Sequence, residues 1–356
     1  MSRILSRYLL RGLALNWLGM ILLLTVIMAM AQLPGTLNRA VENEIAPQMI
    51  VKVLVLMLVA NAPVLILLTL LLAVVLTFGR LGSESEITAM RAAGWSPLNL
   101  LGVVAIFSAP IVALLCVVAL QFAPHALCAA VLLRADAARS FTATQIRPGK
   151  FQPFGRNGTL LAERVAKDGE LQGLFVETES NGKTVVVLAA RGHIRAVPEA
   201  NEFVLSLYDG KYYEGVTGER RFRVVNFREY TRSIPLPEGT TVCTRPDARK
   251  TLDLFATGGP HDIAELNFRF GQLALALIFI LLAVPLSTTR PREGAYTRVP
   301  AALGVFALGN FGLLGVASWS ARAPALGSAV LWSCLALGLV IAIRWILTFG
   351  RVRMPA

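Results

Sequence analysis

Six apolar stretches of about 20 residues or more constrain this chain most, because each is long enough to cross a hydrocarbon core of ~30 Å. They run approximately over residues 13–33, 53–78, 98–123, 268–287, 299–319 and 326–347. In lipid a backbone segment has to satisfy its own hydrogen bonds, so stretches of this length are predicted to be transmembrane helices. With 55% hydrophobic and 16% charged residues and a mean hydropathy of +0.62, the sequence is that of a polytopic membrane protein. Ala29-Met30-Ala31 is similar to a signal-peptidase site, but the run before it exceeds an ordinary signal-peptide core of ~7–15 residues. A retained first span is therefore expected. The second stretch is long for one crossing and contains Pro63, so tilt or a kink is expected there.

Residues 124–266 differ in kind. Their beginning, through Arg139, extends the third helix. Beyond it, short β-rich runs alternate with turn dipeptides. The runs are 141–146, 150–154, 159–164, 173–178, 184–189, 202–207, 212–216, 222–230 and 233–236. The punctuation includes Pro148-Gly149, Asn157-Gly158, Asp168-Gly169, Asn181-Gly182, Asp209-Gly210 and Thr217-Gly218. Many short strands at this spacing predict an all-β sandwich or jellyroll. Residues 237–266 read as a return linker. The expected fold is a polytopic α-helical membrane protein of three plus three spans with an inserted all-β jellyroll. Its parts are spans over 1–123, the β domain and linkers over 124–266, and spans over 267–356.

The net charge of +12 does not indicate nucleic acid. Residues 134–265 hold 19 basic and 17 acidic side chains, while the membrane portion holds 15 and 5. A nucleic-acid binder would concentrate positive charge on its soluble domain. Arginines beside spans report topology instead. Arg3, Arg7, Arg11, Arg80, Arg91, Arg290, Arg292, Arg298, Arg344, Arg351 and Arg353 share one side, against Arg39, Lys52, Arg269 and Arg322 on the other. The richer side is predicted to be cytoplasmic, with both termini, and the β domain is predicted to lie outside.

The sequence offers no catalytic constellation. Gly182-Lys183-Thr184 is similar to the end of a P-loop, but Glu177 stands where the motif needs glycine, and the tripeptide falls in a turn. His125, His193 and His261 are far apart in sequence. Cys116, Cys128, Cys243 and Cys334 match no metal or disulfide spacing and are read as structural filler. No catalytic residue, metal site or cofactor of its own is expected. The span cores carry no acidic residue, which weighs against an ion-driven carrier.

Three groups of residues stand out. Between the second and third stretches, Ser83 and Glu86 form an S-x-x-E pattern and Gly94 supplies a left-handed stop, predicting a capped helix over 83–94. Glu84, Thr88 and Arg91 fall on one stripe, with Ile87 and Met90 beside it. Such a helix is either a solvated connection or a docking piece at the membrane surface. In the fifth stretch Asn310 lies among Gly304, Gly309, Gly312 and Gly315, which suit close helix approach, within this chain or with another subunit. Arg39, Lys52, Arg269 and Arg322 suit either interfacial anchoring or attraction to an anionic lipid head group.

Residues 84–94, Glu-Ser-Glu-Ile-Thr-Ala-Met-Arg-Ala-Ala-Gly, follow Leu-Thr-Phe-Gly-Arg-Leu over 76–81. With Pro148-Gly149-Lys150-Phe151, Ala264–Arg269, Val284-Pro285-Leu286-Ser287 and Pro291-Arg292-Glu293-Gly294, the chain resembles the LptF/LptG permeases of lipopolysaccharide export, on the LptF side of the family. The resemblance covers essentially the whole chain. It implies a Gram-negative inner-membrane subunit that pairs with an LptG-like permease on two copies of the ATPase LptB. ATP and Mg would be bound by that partner. It also implies extraction of lipopolysaccharide and delivery through the periplasmic jellyroll to LptC and then LptA. The cavity would form mainly from the first, second and fifth spans, and the LptC helix could pack beside the fifth. Glu84, Glu86, Ile87, Met90 and Arg91 would meet the ATPase. The alternatives are a permease of another ABC exporter, of the lipoprotein-release type, and a non-transporting membrane sensor or scaffold.

Overall fold

A computed structural model describes residues 2–41, 47–139, 148–153, 158–166, 169–180, 183–197, 202–216, 222–235, 243, 245–287, 294 and 296–351. The predicted strand over 141–146 and the loop arginines Arg290 and Arg292 lie outside these residues. The chain divides into two compact units, one of residues 1–33, 54–129 and 244–356, the other of residues 34–53 and 130–243.

Among the described residues of the chain, six helical stretches are long and apolar enough to cross a bilayer. They are Arg3–Asn38, Ile50–Ser83, Leu98–Leu133, Pro260–Leu286, Val299–Ser320 and Pro324–Thr348. The first lies in α1 (Ser2–Val41) and the second is α2 (Ile50–Ser83), which continues through Pro63. The third joins α4 (Pro97–Val117), a π-turn (Val118–Phe122) and α5 (Ala123–Arg139). The last three are α7 (Pro260–Leu286), α8 (Val299–Ser320) and the body of α9 (Pro324–Arg351). The short α3 (Glu86–Ala92) precedes the third span, and α6 (Thr251–Thr257) precedes the fourth.

Apolar residues of α1, α2, α4, α7, α8 and α9 form one core, with Leu67, Leu70, Phe78, Leu115 and Phe279 almost wholly enclosed. Helix α7 packs against α4, α8 and α9. Gly271 allows the approach of α8 to α7, since a Cβ there would run into Leu313, and Gly327 of α9 allows its approach to α8, since a Cβ there would run into the Ser320 backbone. Some polar groups inside the bundle are paired between helices. Asn267 donates to Ser328 Oγ at 2.7 Å and accepts from Trp332 Nε1 at 3.2 Å, linking α7 with α9. Asn16 of α1 donates to Thr77 of α2 at 2.8 Å. The outer faces of α1 and α8 stay uncovered, with Leu15, Leu22, Met30, Leu308 and Phe311 exposed.

In the β unit, β1 (Gln152–Pro153), β2 (Gly158–Val165), β3 (Leu171–Ser180), β4 (Lys183–Val197), β5 (Glu202–Gly215) and β6 (Phe222–Pro235) form an antiparallel meander in chain order. One face is apolar and enclosed, with Leu160, Ala162, Leu171, Leu174, Val187 and Leu207 at its centre. Alternation puts Leu160 and Ala162 on one side, and the unpaired Gly173 keeps Leu171 and Leu174, three residues apart, on that same side.

The strands are fewer and longer than the turn dipeptides predicted. Asp209-Gly210 lies inside β5, and the runs over 222–230 and 233–236 are one strand. Ala162, Leu174, Ala189, Gly210 and Phe227 form one paired row, and Arg164, Gln172, Arg191, Tyr208 and Glu229 the next on which all five strands pair. Glu163, Gly173, Ala190, Asp209 and Arg228 between them stand outside the pairing. Gly173 and Asp209 take positive φ of 65° and 54°. The sheet therefore creases along a single row, and a residue pair that signals a turn in sequence supplies the bend within a strand. Arg191 pairs with Asp209 at 3.2 Å across the crease.

Candidate functional site

The segment between the second and third spans forms the short helix expected there, with a different beginning. Helix α2 runs through Ser83, whose hydroxyl donates back to the Arg80 carbonyl at 2.8 Å. Ser83 therefore caps nothing, and the predicted capping box is absent. Ser85, at φ 62°, is the N-cap of α3 and makes no side-chain cap bond. The far end forms as predicted: Gly94 takes φ 88°, donating to Arg91 O, while Trp95 N donates to Met90 O, both at 3.0 Å. These are the two bonds of a Schellman stop.

The side chains named from sequence separate into two sets. Met90 is 7% exposed and joins the core, and Ile87 packs against it. Both anchor α3 to the bundle, Met90 enclosed and Ile87 half-buried. Glu84 is exposed and lies 3.8 Å from Arg80, one helical turn away in sequence. Glu86 accepts a 3.3 Å bond from the Tyr8 hydroxyl of α1. Arg91 is half-buried, while Ser85, Thr88, Ala89 and Ala92 are exposed. The outward surface is thus small and polar, flanked by Glu84 and set on an apolar base.

The basic residues assigned to the outer boundary do not behave alike. Lys52 and Arg322 are exposed, and the Arg39 side chain lies outside the described residues. Arg269 is 3% exposed. Its Nε donates to Glu265 at 2.7 Å and its Nη1 to Thr251 Oγ1 at 2.8 Å. Its Nη2 is within 3.2 Å of the carbonyls of Pro246, Asp247 and Arg249. With the guanidinium committed inside the protein, Arg269 is a strut and not a head-group contact in this arrangement.

The glycine-rich span divides similarly. Gly309 faces Leu275 and Phe279 of α7, where a Cβ would come within 3.0 Å of both side chains. Asn310 is buried beside it, and its Oδ1 has no hydrogen-bond partner. A Cβ on Gly304, Gly312 or Gly315 would meet nothing within 4 Å. Gly309 and Asn310 serve packing within the chain, and the other three lie on an open face.

The cysteines include a feature that their spacing did not reveal. Cys128 and Cys243 are disulfide-bonded, whereas Cys116 and Cys334 are free. The filler reading fails for Cys128 and Cys243 because disulfide bonding between residues distant in sequence leaves no local signature. In the β unit, burial first, then Glu214 and Tyr230, pushes the Tyr212 phenol above its ordinary value. Its ring lies 5.6 Å from that of Tyr230.

These elements define a multi-pass helical membrane protein with an antiparallel β domain inserted between its third and fourth spans. The family described as lipopolysaccharide export system permease LptF/LptG matches residues 7–348. The chain belongs to this family, and within it is most like LptF. The LptF protein of Escherichia coli K12 is 27% identical over 300 residues, covering 82% of this chain and 80% of that protein. The LptF protein of Shigella flexneri matches to the same extent. Membership makes the chain a transport subunit of the inner membrane.

Proposed function

We propose that this chain is the LptF-type half of an ATP-driven lipopolysaccharide extractor, paired with an LptG-like permease and two copies of an LptB-type ATPase. The carrying observation is family membership over residues 7–348 together with α3, a short helix whose outer surface is polar and whose inner surface is bolted to the spans. ATP binding and hydrolysis belong to the partner. Closure of the ATPase dimer presses on α3 near Glu84. Because Ile87 and Met90 are packed into the core and Glu86 is bonded to Tyr8, that displacement passes to the spans. The uncovered apolar faces of α1 and α8 suit the second permease, and the open Gly304, Gly312 and Gly315 suit a further helix such as that of LptC.

In this reading α3 and both termini are cytoplasmic and the β domain is periplasmic. The arginines beside the spans support that orientation. So do the disulfide-bonded Cys128 and Cys243, since such bonds persist in the periplasm and not in the cytosol. The enclosed apolar face of the β unit is the route for acyl chains toward LptC and LptA, with sugars left in water. Lys52 and Arg322, both exposed, are the head-group candidates that remain available.

The test is Glu84→Arg in the reconstituted complex. Reversing this charge is expected to weaken retention of the ATPase or uncouple hydrolysis from lipopolysaccharide release. Wild-type retention and release would overturn the assignment of α3.

A further inference from the structure

Residues 245–257 were expected to be linker and instead form a built element. A 3-10 turn (Pro246–Ala248) leads into α6, and a two-residue turn leads into the fourth span. Arg269 sits nine residues into α7, about 13 Å along its axis. Arg269 stands at the start of the apolar stretch 268–287, so its bond to Thr251 places the start of α6 beside α7 at the level of that boundary and not above the first residue of the helix. Thr251 in turn donates at 2.6 Å to the Leu120 carbonyl, inside the π-turn of the third span. A π-turn disturbs the regular backbone ladder, and Thr251 supplies a donor there. At the other end of α6, Asp262 accepts from Arg249 at 3.0 Å and from Thr257 at 2.6 Å.

Two properties of this element point to the same surroundings. Carbonyls held against lipid need a donor from the protein, and Arg269 reaches three carbonyls of the turn at once. The outward surface is apolar: Leu252 is 80% exposed and Phe255 59% exposed. Leu252 and Ala256 lie on the side of α6 opposite the buried Leu254, and Phe255 lies on the flank next to Leu252, its ring 6.0 Å from that of Phe270 of α7. This apolar surface is continuous in chemistry with the exposed Val117 and Phe122 of the third span to which Thr251 is tied. Polar side chains flank it, with Lys250 and Asp253 exposed and Arg245 paired to Asp247 at 3.0 Å.

We propose that residues 245–257 form an interfacial elbow seated at the lipid boundary where the chain enters the fourth span, with Leu252 and Phe255 dipping among the acyl chains of bilayer phospholipid. Arg269, Thr251 and the Arg249–Asp262 pair hold the elbow at that level. Asp253 and Lys250 lie in the head-group layer.

The test uses the full-length chain in phosphatidylcholine–phosphatidylglycerol vesicles free of lipopolysaccharide, with Cys116 and Cys334 replaced by Ala. An environment-sensitive fluorophore is attached in turn to Leu252→Cys, Phe255→Cys, Ala256→Cys and Asp253→Cys. Phospholipids carrying a nitroxide on the acyl chain should quench positions 252, 255 and 256 at least twofold more than position 253. Aqueous iodide should quench in the reverse order. Equal iodide quenching at all four positions would overturn the proposal by placing the elbow in water. Protection of 252 and 255 from both quenchers would overturn it by placing protein there. Ala256→Cys reads the same surface independently if either larger residue is needed for folding.

Discussion

Helices α3 and α6 are both seven residues long, and both stand beside the start of a span, at opposite ends of the bundle's crossings. Their construction is inverted. Helix α3 turns Ile87 and Met90 into the core and shows Glu84, Thr88 and small residues outward. Helix α6 buries the single Leu254, is otherwise held through polar bonds made by Thr251, Thr257 and Arg269, and shows Leu252 and much of Phe255 outward. An apolar anchor with a polar surface suits water or a soluble partner. A polar anchor with an apolar surface suits lipid, where buried hydrogen bonds face no competition from solvent. The medium outside each helix, more than its length or propensity, selects which kind of residue holds it.

The comparison breaks most visibly at Arg269. Removing it leaves Glu265 without its partner and takes a donor from three carbonyls and Thr251. Arg269→Met is expected to destabilise the detergent-solubilised protein by roughly 3–5 kcal/mol, as for loss of one partner of a buried pair. Thermal unfolding followed by size-exclusion chromatography checks this, and adding Glu265→Leu should recover part of the loss. On the other helix the corresponding cut is apolar. Met90→Ala is expected to cost about 2 kcal/mol, the low end for truncating a buried methionine. Hydrogen exchange should show α3 loosened and α6 unchanged.

This asymmetry also explains what the sequence disclosed. Spans were legible because an apolar run of ~20 residues has few alternatives, and Gly94 was legible because a left-handed stop is a local requirement. Ser83 was misread because the S-x-x-E pattern does not reveal that α2 continues through it. Asp209-Gly210 was misread because positive φ serves a crease as well as a turn. Arg269 resembled an interfacial cation, and only its three-dimensional partners show that it is enclosed. For the residues of α3 and α8 singled out in sequence, the division into inward and outward sets depends on packing that no local pattern encodes.

The smaller effects sharpen the comparison at α3. Gly94→Ala forces a Cβ into φ 88° and is expected to cost about 1 kcal/mol, with fraying confined to the end of α3. Nothing lies within 4 Å of the added Cβ, so any loss measured by thermal unfolding reports backbone conformation and not a clash. Glu84→Gln should have the smallest effect on stability, within about 0.5 kcal/mol, because its pair with Arg80 is long and solvent-exposed. A surface helix that only connects two spans would show no other consequence. A helix that receives force from an ATPase should instead keep its melting temperature and lose part of its lipopolysaccharide release, the difference from wild type being largest at low salt and shrinking with ionic strength as the wild-type contact is screened. Equal release by Glu84→Gln and wild type at every salt concentration would make α3 a connector, leaving its inversion relative to α6 a matter of solvent alone.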